Sequence, residues 1–287
     1  MESVSDPISL AYSVDADDAF MFRALVEGAI DTDGLTFTHR RDHTAALNQL
    51  AIDGGADVIA VSAGVYPLIA SNYQMLPHGA SVGRGFGPVV VAQRPLRIAD
   101  LAGLRVGIPG ETTTAWLVLR LIAPRAIGVP IPIAPFGRIF DALAAGEVDA
   151  ALLIHEGRMI YPERGLALVV DIGAWWAAET GLPLPLGINV IRRALGAVRI
   201  ARVSKVLRAS IAWALSNRER LIVEIAGEKR GDAALARTAL IDEYLGLYAN
   251  DDTVAMTDDA KHAIDVLFAR ALAVGLAPPT ATVDWAP

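Results

Sequence analysis

The chain has 287 residues, of which 53% are hydrophobic and 20% are charged, and its formal net charge is -7. This length suits one large domain or two lobes, and the apolar fraction is sufficient for a buried core. The acidic balance disfavours nucleic acid as a partner, because nucleic-acid-binding proteins usually present a basic face. Without cysteine, the chain cannot form a disulfide framework, a thiolate nucleophile or a cysteine-ligated metal site.

The first ten residues, Met1 to Leu10, are acidic and lack the basic start and the apolar run of a secretory signal. The longest apolar stretches, such as residues 89–92, are far shorter than the roughly 20 residues of a transmembrane helix. These features predict a cytoplasmic protein that has no membrane partner.

The first ninety residues alternate between strand-like and helix-like apolar patterns. The patterns predict strands at residues 8–13, 35–39 and 58–62, with helices at 20–28 and 44–53 between them. This β-α-β-α-β order predicts a parallel sheet covered by helices on both faces. A glycine-rich stretch at 79–88 interrupts the alternation, and a further strand follows it at 88–92.

A second α/β unit follows the glycine-rich stretch. Its predicted elements are a strand at 105–108, a helix that begins near Thr112, a helix at 140–145 and a strand at 150–154. Residues 186–191 lead back to the first unit, and the chain from Val198 onward is almost wholly helical. We therefore predict a two-lobed α/β fold with a ligand cleft between the lobes. The predicted lobe 1 comprises residues 1–92 and 187–287, and the predicted lobe 2 comprises residues 93–186.

Ligands of such folds bind beyond the carboxyl ends of the strands. At those ends lie polar residues that are candidates for a site, namely Ser13 to Asp18, Ser62, Gly110 to Thr114, and His155. A histidine there can exchange protons near neutral pH, although a core histidine bonded to a backbone carbonyl would show the same pattern. The threonines open a helix, where they either bind a carboxylate or simply cap the helix. Ser62 either bonds to the ligand or closes a turn.

Three aspartates, Asp15, Asp17 and Asp18, allow three interpretations. They cap a helix and complement its dipole, or one of them, Asp18 above all, contacts substrate hydroxyls. The third interpretation is a divalent-cation site, since hard cations prefer oxygen ligands. We rank these interpretations in that order and predict no metal. Trp175 and Trp176 either stack on an aromatic substrate or pack the lobes together.

Several motifs resemble those of a known family. Residues 100–110 resemble the start of the second lobe in type II periplasmic-binding-protein folds. More specific are four segments that together resemble the 1,4-dihydroxy-6-naphthoate synthase family of the futalosine route to menaquinone. They are Gly83–Pro88, Ile154–Gly165, Val170–Trp176 and Thr180–Gly187. The resemblance extends from about Ile8 to about Pro278.

This resemblance implies a cytoplasmic lyase on a binding-protein fold that converts cyclic dehypoxanthine futalosine without a metal or an organic cofactor. It implies that His155 is the base and that Ser13, Asp18, Ser62, Thr112 and Thr113 bind a small, carboxylated substrate. Two alternatives stay open, namely a solute-binding protein of the same fold and a related lyase with a changed substrate. The sequence does not predict the oligomeric state.

The first loop departs from the family pattern Ser-Pro-x-Pro-Asn-Asp-Thr-Phe, because residues 13–20 read Ser-Val-Asp-Ala-Asp-Asp-Ala-Phe. Asp17 thus stands where the family has asparagine, Ala19 replaces threonine, and Ala60 replaces a lysine that is frequent in the family. An added carboxylate offsets the positive end of a helix dipole and repels an anionic substrate. The loop therefore predicts that the family substrate is handled poorly or is bound with its carboxylate turned to Thr112 and Thr113.

Overall fold

The computed structural model describes residues 6–228, 230–279 and 283–287. In chain order, the strands are β1 (Ile8–Ser13), β2 (Phe37–Asp42), β3 (Val58–Ser62), β4 (Tyr73–Met75), β5 (Ser81–Gly83), β6 (Val89–Ala92), β7 (Arg105–Ile108), β8 (Ile127–Pro130), β9 (Ala150–Leu153), β10 (Ala167–Asp171) and β11 (Leu184–Arg192).

The α-helices of the described residues range from single turns to twenty residues. They are α1 (Ala16–Met21), α2 (Arg23–Glu27), α3 (Thr44–Ile52), α4 (Tyr66–Ile69), α5 (Thr114–Ile122), α6 (Arg138–Ala144), α7 (Gly157–Ile160), α8 (Ile172–Thr180), α9 (Ala197–Ser216), α10 (Arg218–Ala226), α11 (Thr238–Tyr248), α12 (Asp251–Val254) and α13 (Asp258–Ala273). None of these helices is long and apolar enough to cross a membrane.

The first sheet has the strand order β2-β1-β3-β11-β4, and β5 also pairs with β11. Strand β1 is parallel to both β2 and β3, which confirms the parallel β-α-β-α-β unit predicted from the first sixty residues. Strand β11 returns from the second half of the chain and runs antiparallel to β3. The carboxyl ends of β1 and β3, with Ser13 and Ser62, therefore lie at one edge of this sheet.

The second sheet has the order β10-β6-β9-β7-β8. Strand β7 is parallel to β8 and β9, whereas β6 runs antiparallel to β9 and β10. The carboxyl ends of β7 and β9 lead directly to the Gly110–Thr114 segment and to His155. Each sheet thus brings one half of the predicted site residues to its edge.

Strand pairing bears on the limits of the two lobes. Strand β6 (Val89–Ala92) pairs within the second sheet, whereas the predicted limit at residue 92 would have left it in the first lobe. The chain has therefore already crossed by Val89, and β11 shows that it has returned by Leu184. We propose lobe limits in the connections 84–88 and 172–183. The broader division into a discontinuous first lobe and a continuous second lobe stays a prediction.

Trp176 is fully buried in the main core, and its indole Nε1 donates to the carbonyl oxygen of Pro183 at 3.0 Å. This contact supports the packing interpretation of Trp176 rather than substrate stacking. Trp175 is partly buried and packs against the same cluster.

The connection from α10 to α11 joins the helical part of the chain to the second sheet. Glu156 and Arg230 form a buried ion pair there, with side chains 1% and 6% exposed. Two exposed pairs lie on the same side of the molecule, namely Arg164 with Asp232 and Arg237 with Glu163. Leu235 and Leu240 also pack into the apolar cluster of the second sheet.

We expect Arg230→Met to lower the free energy of unfolding by about 3–5 kcal/mol, because it leaves the Glu156 carboxylate buried without its partner. Arg237→Met is the matched control, since its pair is exposed and should contribute only about 0–1 kcal/mol. Urea unfolding of both variants measures the difference. Equal losses in the two variants would contradict a special role for the buried pair.

Candidate functional site

A cavity of about 100 Å³ lies where the edges of the two sheets meet. Five of the six predicted site residues line it, namely Ser13, Asp18, Ser62, Thr113 and His155. The sixth, Thr112, lies beside this lining and accepts a hydrogen bond from Asn48. The structure therefore brings the predicted residues together, while their roles in binding and catalysis stay predictions.

His155 follows strand β9 with a φ angle of 50°, a left-handed conformation that is uncommon for residues other than glycine. Such local strain is typical of functional positions, where the surrounding structure holds a side chain in place. The side chain is 18% exposed. Its Nε2 lies 3.1 Å from Thr44 Oγ1 and 3.2 Å from Asp15 Oδ2, and its Nδ1 lies 3.4 Å from the Tyr244 hydroxyl.

The buried aspartates of the first loop have distinct partners. Asp17 accepts hydrogen bonds from Ser81 Oγ at 2.8 Å and from the Tyr244 hydroxyl at 3.3 Å. Asp18 accepts from the backbone N–H of Ser13 at 2.6 Å, and so closes the loop on itself. The structure shows no side-chain cap of α1 by its N-cap residue Asp15. Among the described residues, no group of three or more histidine, aspartate or glutamate side chains is arranged to hold a metal ion.

Burial and mutual repulsion shift the acid–base properties of these groups. Burial raises the pKa of Asp17, and burial together with the Asp17 carboxylate raises the pKa of Asp18 to about 7. Burial lowers the pKa of His155, but the carboxylates around it, foremost Asp15 and then Asp17, outweigh this and leave that pKa raised. Burial holds the pKa of Tyr244 well above its usual range, so its phenol is neutral.

Asn48 on helix α3 forms hydrogen bonds with residues at the edges of both sheets. Its Oδ1 accepts from the backbone N–H of Ser62 at 2.9 Å, and its Nδ2 lies 3.1 Å from Ser62 Oγ and 3.1 Å from Thr112 Oγ1. Since its side chain is fully buried, these bonds cannot be replaced by water without opening the structure. Asn48 therefore fixes where the Ser62 hydroxyl lies.

The hydroxyls of the threonines at the start of α5 donate hydrogen bonds to backbone carbonyl oxygens of the protein. Thr113 Oγ1 donates to the carbonyl oxygen of Gly110 at 2.9 Å, and Thr114 Oγ1 donates to that of Leu186 at 2.8 Å. Both residues line the cavity, together with Ala115. The first N–H groups of a helix have no acceptor within the helix, so an anion at this end would meet the backbone rather than the two hydroxyls.

Four residues of the site were not predicted from the sequence, namely Thr44, Asn48, Ser81 and Tyr244. Ser81 and Tyr244 bind Asp17 from opposite sides, and Thr44 contacts His155. Asn48 and Tyr244 lie on helices whose polar residues carry no distinguishing motif. Thr44 and Ser81 could have been found from their positions, because Thr44 comes just after β2 and Ser81 begins β5 at the same edge of the sheet.

The family model described as menaquinone biosynthesis matches residues 8–273. A protein of Thermus thermophilus named 1,4-dihydroxy-6-naphthoate synthase is 36% identical over 275 residues, which cover 96% of this chain and 97% of that protein. A protein of Streptomyces coelicolor with the same name is 38% identical over 282 residues, with 96% of each chain covered. These matches confirm the resemblance predicted from the motifs.

The solved structures agree with this result. A crystal structure of a protein from Archaeoglobus fulgidus is 38% identical, with a TM-score of 0.87 and coverage of 96% of this chain and 100% of that one. The alkanesulfonate-binding protein of Xanthomonas axonopodis, solved with bound MOPS, gives a TM-score of 0.71 at 14% identity, with 96% of each chain covered. Identity this low shows the fold alone, and it confirms the predicted periplasmic-binding-protein architecture.

We expect Asn48→Ala to lower the free energy of unfolding by about 1–3 kcal/mol, because it leaves buried partners on Ser62 and Thr112 unsatisfied. It should also weaken ligand binding, since the Ser62 hydroxyl loses its fixed position. Gln49→Ala, one residue along the same helix and exposed, is the control and should change stability by no more than about 0.5 kcal/mol. Thermal unfolding and calorimetric titration measure the two effects. If the Asn48→Ala variant is as stable as the Gln49→Ala variant, the hydrogen bonds of Asn48 to Ser62 and Thr112 do not stabilise the fold.

Proposed function

Because the chain belongs to the menaquinone-biosynthesis family, we propose that it is a lyase of the 1,4-dihydroxy-6-naphthoate synthase type. Its proposed substrate is a small, cyclic, sugar-derived aromatic compound that carries a carboxylate. The observation that supports this most directly is a histidine of raised pKa in the wall of a cavity between two lobes. The proposal includes a cytoplasmic location, as the family resemblance implies.

In this proposal His155 is the general base. Retro-aldol or eliminative cleavage of a sugar-derived ring begins when a base takes a proton from a hydroxyl or from an acidic carbon. A neutral imidazole can accept that proton, and the carboxylates of Asp15 and Asp17 stabilise the imidazolium that results. The neutral phenol of Tyr244, which also lines the cavity, is suited to donate a hydrogen bond to a substrate oxygen.

The other predicted residues orient the substrate in this proposal. Ser62 accepts from Asn48, so its own hydroxyl hydrogen remains available to donate to a substrate oxygen. Ser13 and Asp18 face substrate hydroxyls at the end of β1. The substrate carboxylate lies at the start of α5, where backbone N–H groups and the helix dipole favour an anion, and Thr112 and Thr113 shape that end of the cavity.

We expect His155→Gln to lower kcat by roughly 10²–10⁴-fold while the affinity for substrate changes little, since a base acts mainly in the transition state. Formation of the naphthoate product and calorimetric binding of substrate measure the two effects. Full activity of the variant would exclude His155 as the base. Binding with no turnover by the unchanged protein would favour a solute-binding protein instead.

We expect Asp17→Asn to lower KM for the anionic family substrate, because the carboxylate of Asp17 in the cavity wall repels an anion. The other departure from the family pattern in this loop, Ala19, is left unchanged in this test, because Ala19 packs in an apolar cluster where an added hydroxyl would be buried.

The size of this effect should depend on pH. Asp17 has a raised pKa and is neutral in acid, so the difference between the variant and the unchanged protein should disappear as pH falls and grow as pH rises. Steady-state kinetics across this range tests the expectation. A KM ratio independent of pH would show that the Asp17 charge does not act on the substrate.

A further inference from the structure

The two ring nitrogens of His155 have unequal surroundings. Nε2 lies within 3.2 Å of both Thr44 Oγ1 and Asp15 Oδ2, whereas the hydroxyl of Tyr244 lies 3.4 Å from Nδ1, near the outer limit for a hydrogen bond. Thr44 and Tyr244 belong to the cavity wall. The side chain of Asp15 is only 8% exposed and is not among the residues that line the cavity.

We propose that Asp15 is a positioning residue that keeps the hydrogen of His155 on Nε2 and thereby makes Nδ1 the basic nitrogen. The inference deepens the proposed function and rests on it for the role of His155 as base. An ionised carboxylate only accepts hydrogen bonds, so it favours an N–H at Nε2. A neutral imidazole carries one N–H, and its lone pair then lies on Nδ1.

The remaining partners fit this tautomer. The Thr44 hydroxyl oxygen can accept the same Nε2–H as Asp15, in a three-centre hydrogen bond. The Tyr244 hydroxyl lies 3.3 Å from Asp17 Oδ1 and donates to it, so it competes only weakly for Nδ1. Thr44, beside Nε2, and Tyr244, beside Nδ1, both line the cavity, so both ring nitrogens lie near it. Because Asp15 and Thr44 engage Nε2, Nδ1 is the nitrogen left for the substrate.

The proton balance of the step follows from this arrangement. An O–H or C–H bond of the substrate breaks, an N–H bond forms at Nδ1, and the electron pair stays on the substrate for the cleavage. The imidazolium keeps its Nε2–H pointed at Asp15, whose carboxylate stabilises the positive charge. This is the role of the carboxylate in hydrolase triads, in which the acid orients the histidine and does not itself take the proton.

The charged and titratable groups around His155 decide the direction of the pH effect. They are Asp15, Asp17, Asp18 and Glu156, together with Tyr244 and, through Glu156, Arg230. Burial lowers the pKa of His155, and Asp15 is the largest of the contributions that raise it. Loss of the Asp15 charge should therefore lower this pKa. Since the base must be neutral, the acid limb of kcat/KM should move to lower pH.

Nitrogen NMR of the protein labelled with ¹⁵N-histidine tests the proposal, with His155→Gln used to assign the signals. In the unchanged protein, neutral His155 should be the Nε2–H tautomer. In Asp15→Asn, the Nδ1–H tautomer should gain population, the titration midpoint should fall, and kcat should drop on the order of 10²-fold with a smaller change in KM. Asp258→Asn removes an exposed carboxylate from the first turn of α13 and should leave all three readouts unchanged.

A neutral Nδ1–H tautomer in the unchanged protein would overturn the proposal, and this measurement needs no folded variant. An unchanged titration midpoint in Asp15→Asn would overturn it as well. Full turnover by His155→Gln would instead refute the base assigned under the proposed function, because the tautomer and the midpoint are read without substrate. The two failures are therefore distinguishable.

Discussion

The contact between Asp15 Oδ2 and His155 Nε2 joins the ends of strands from the two sheets, at a place where both side chains are largely shielded from water. An isolated charge in such surroundings costs several kcal/mol, and a matched pair offsets much of that cost. The first lobe presents three aspartates in the loop after β1, and the second lobe presents one imidazole. His155 meets its Asp15 partner only where the two sheet edges come together, so the chemistry of the cavity depends on how the two sheets are joined.

The departure of the first loop from the family pattern has a second effect, which concerns His155 rather than the substrate. The sequence predicts that extra carboxylates repel an anionic substrate, and Asp17 does line the cavity. However, Asp17 accepts hydrogen bonds from Ser81 and Tyr244, and both Asp15 and Asp17 raise the pKa of His155. The substitution of Asp17 for asparagine, which disfavours an anion, thus also favours the protonated histidine. Repulsion of the substrate and stabilisation of the imidazolium are two consequences of one change in charge.

The sequence predicted the fold best where strands are buried and apolar. Strands β1, β3 and β7 begin and end at the predicted residues, because each contains a short, mostly apolar segment whose limits the sequence marks. Strands β4 and β5 have three residues each, and the sequence did not predict them. The single helix predicted at 20–28 is in fact two helices, α1 and α2, that meet at Phe22. Phe22 is fully buried, so its apolar character hid the break from the pattern.

The site was predictable as far as it lies on strand ends. Ser13 and Ser62 end strands β1 and β3, His155 comes just after β9, and the rule for ligands of α/β sheets found all three. Tyr244 illustrates why the rest was not. Its helix, α11, packs Leu240 into the cluster of the second sheet and Tyr244 into the cluster formed with α1. One short helix thus packs against both sheets' clusters, and its Tyr244 hydroxyl contacts both His155 and Asp17. Tyr244 is separated in the chain from His155 by 89 residues and from Asp17 by 227 residues. Its place in the site follows from how its helix packs, and no local pattern in the sequence indicates such packing.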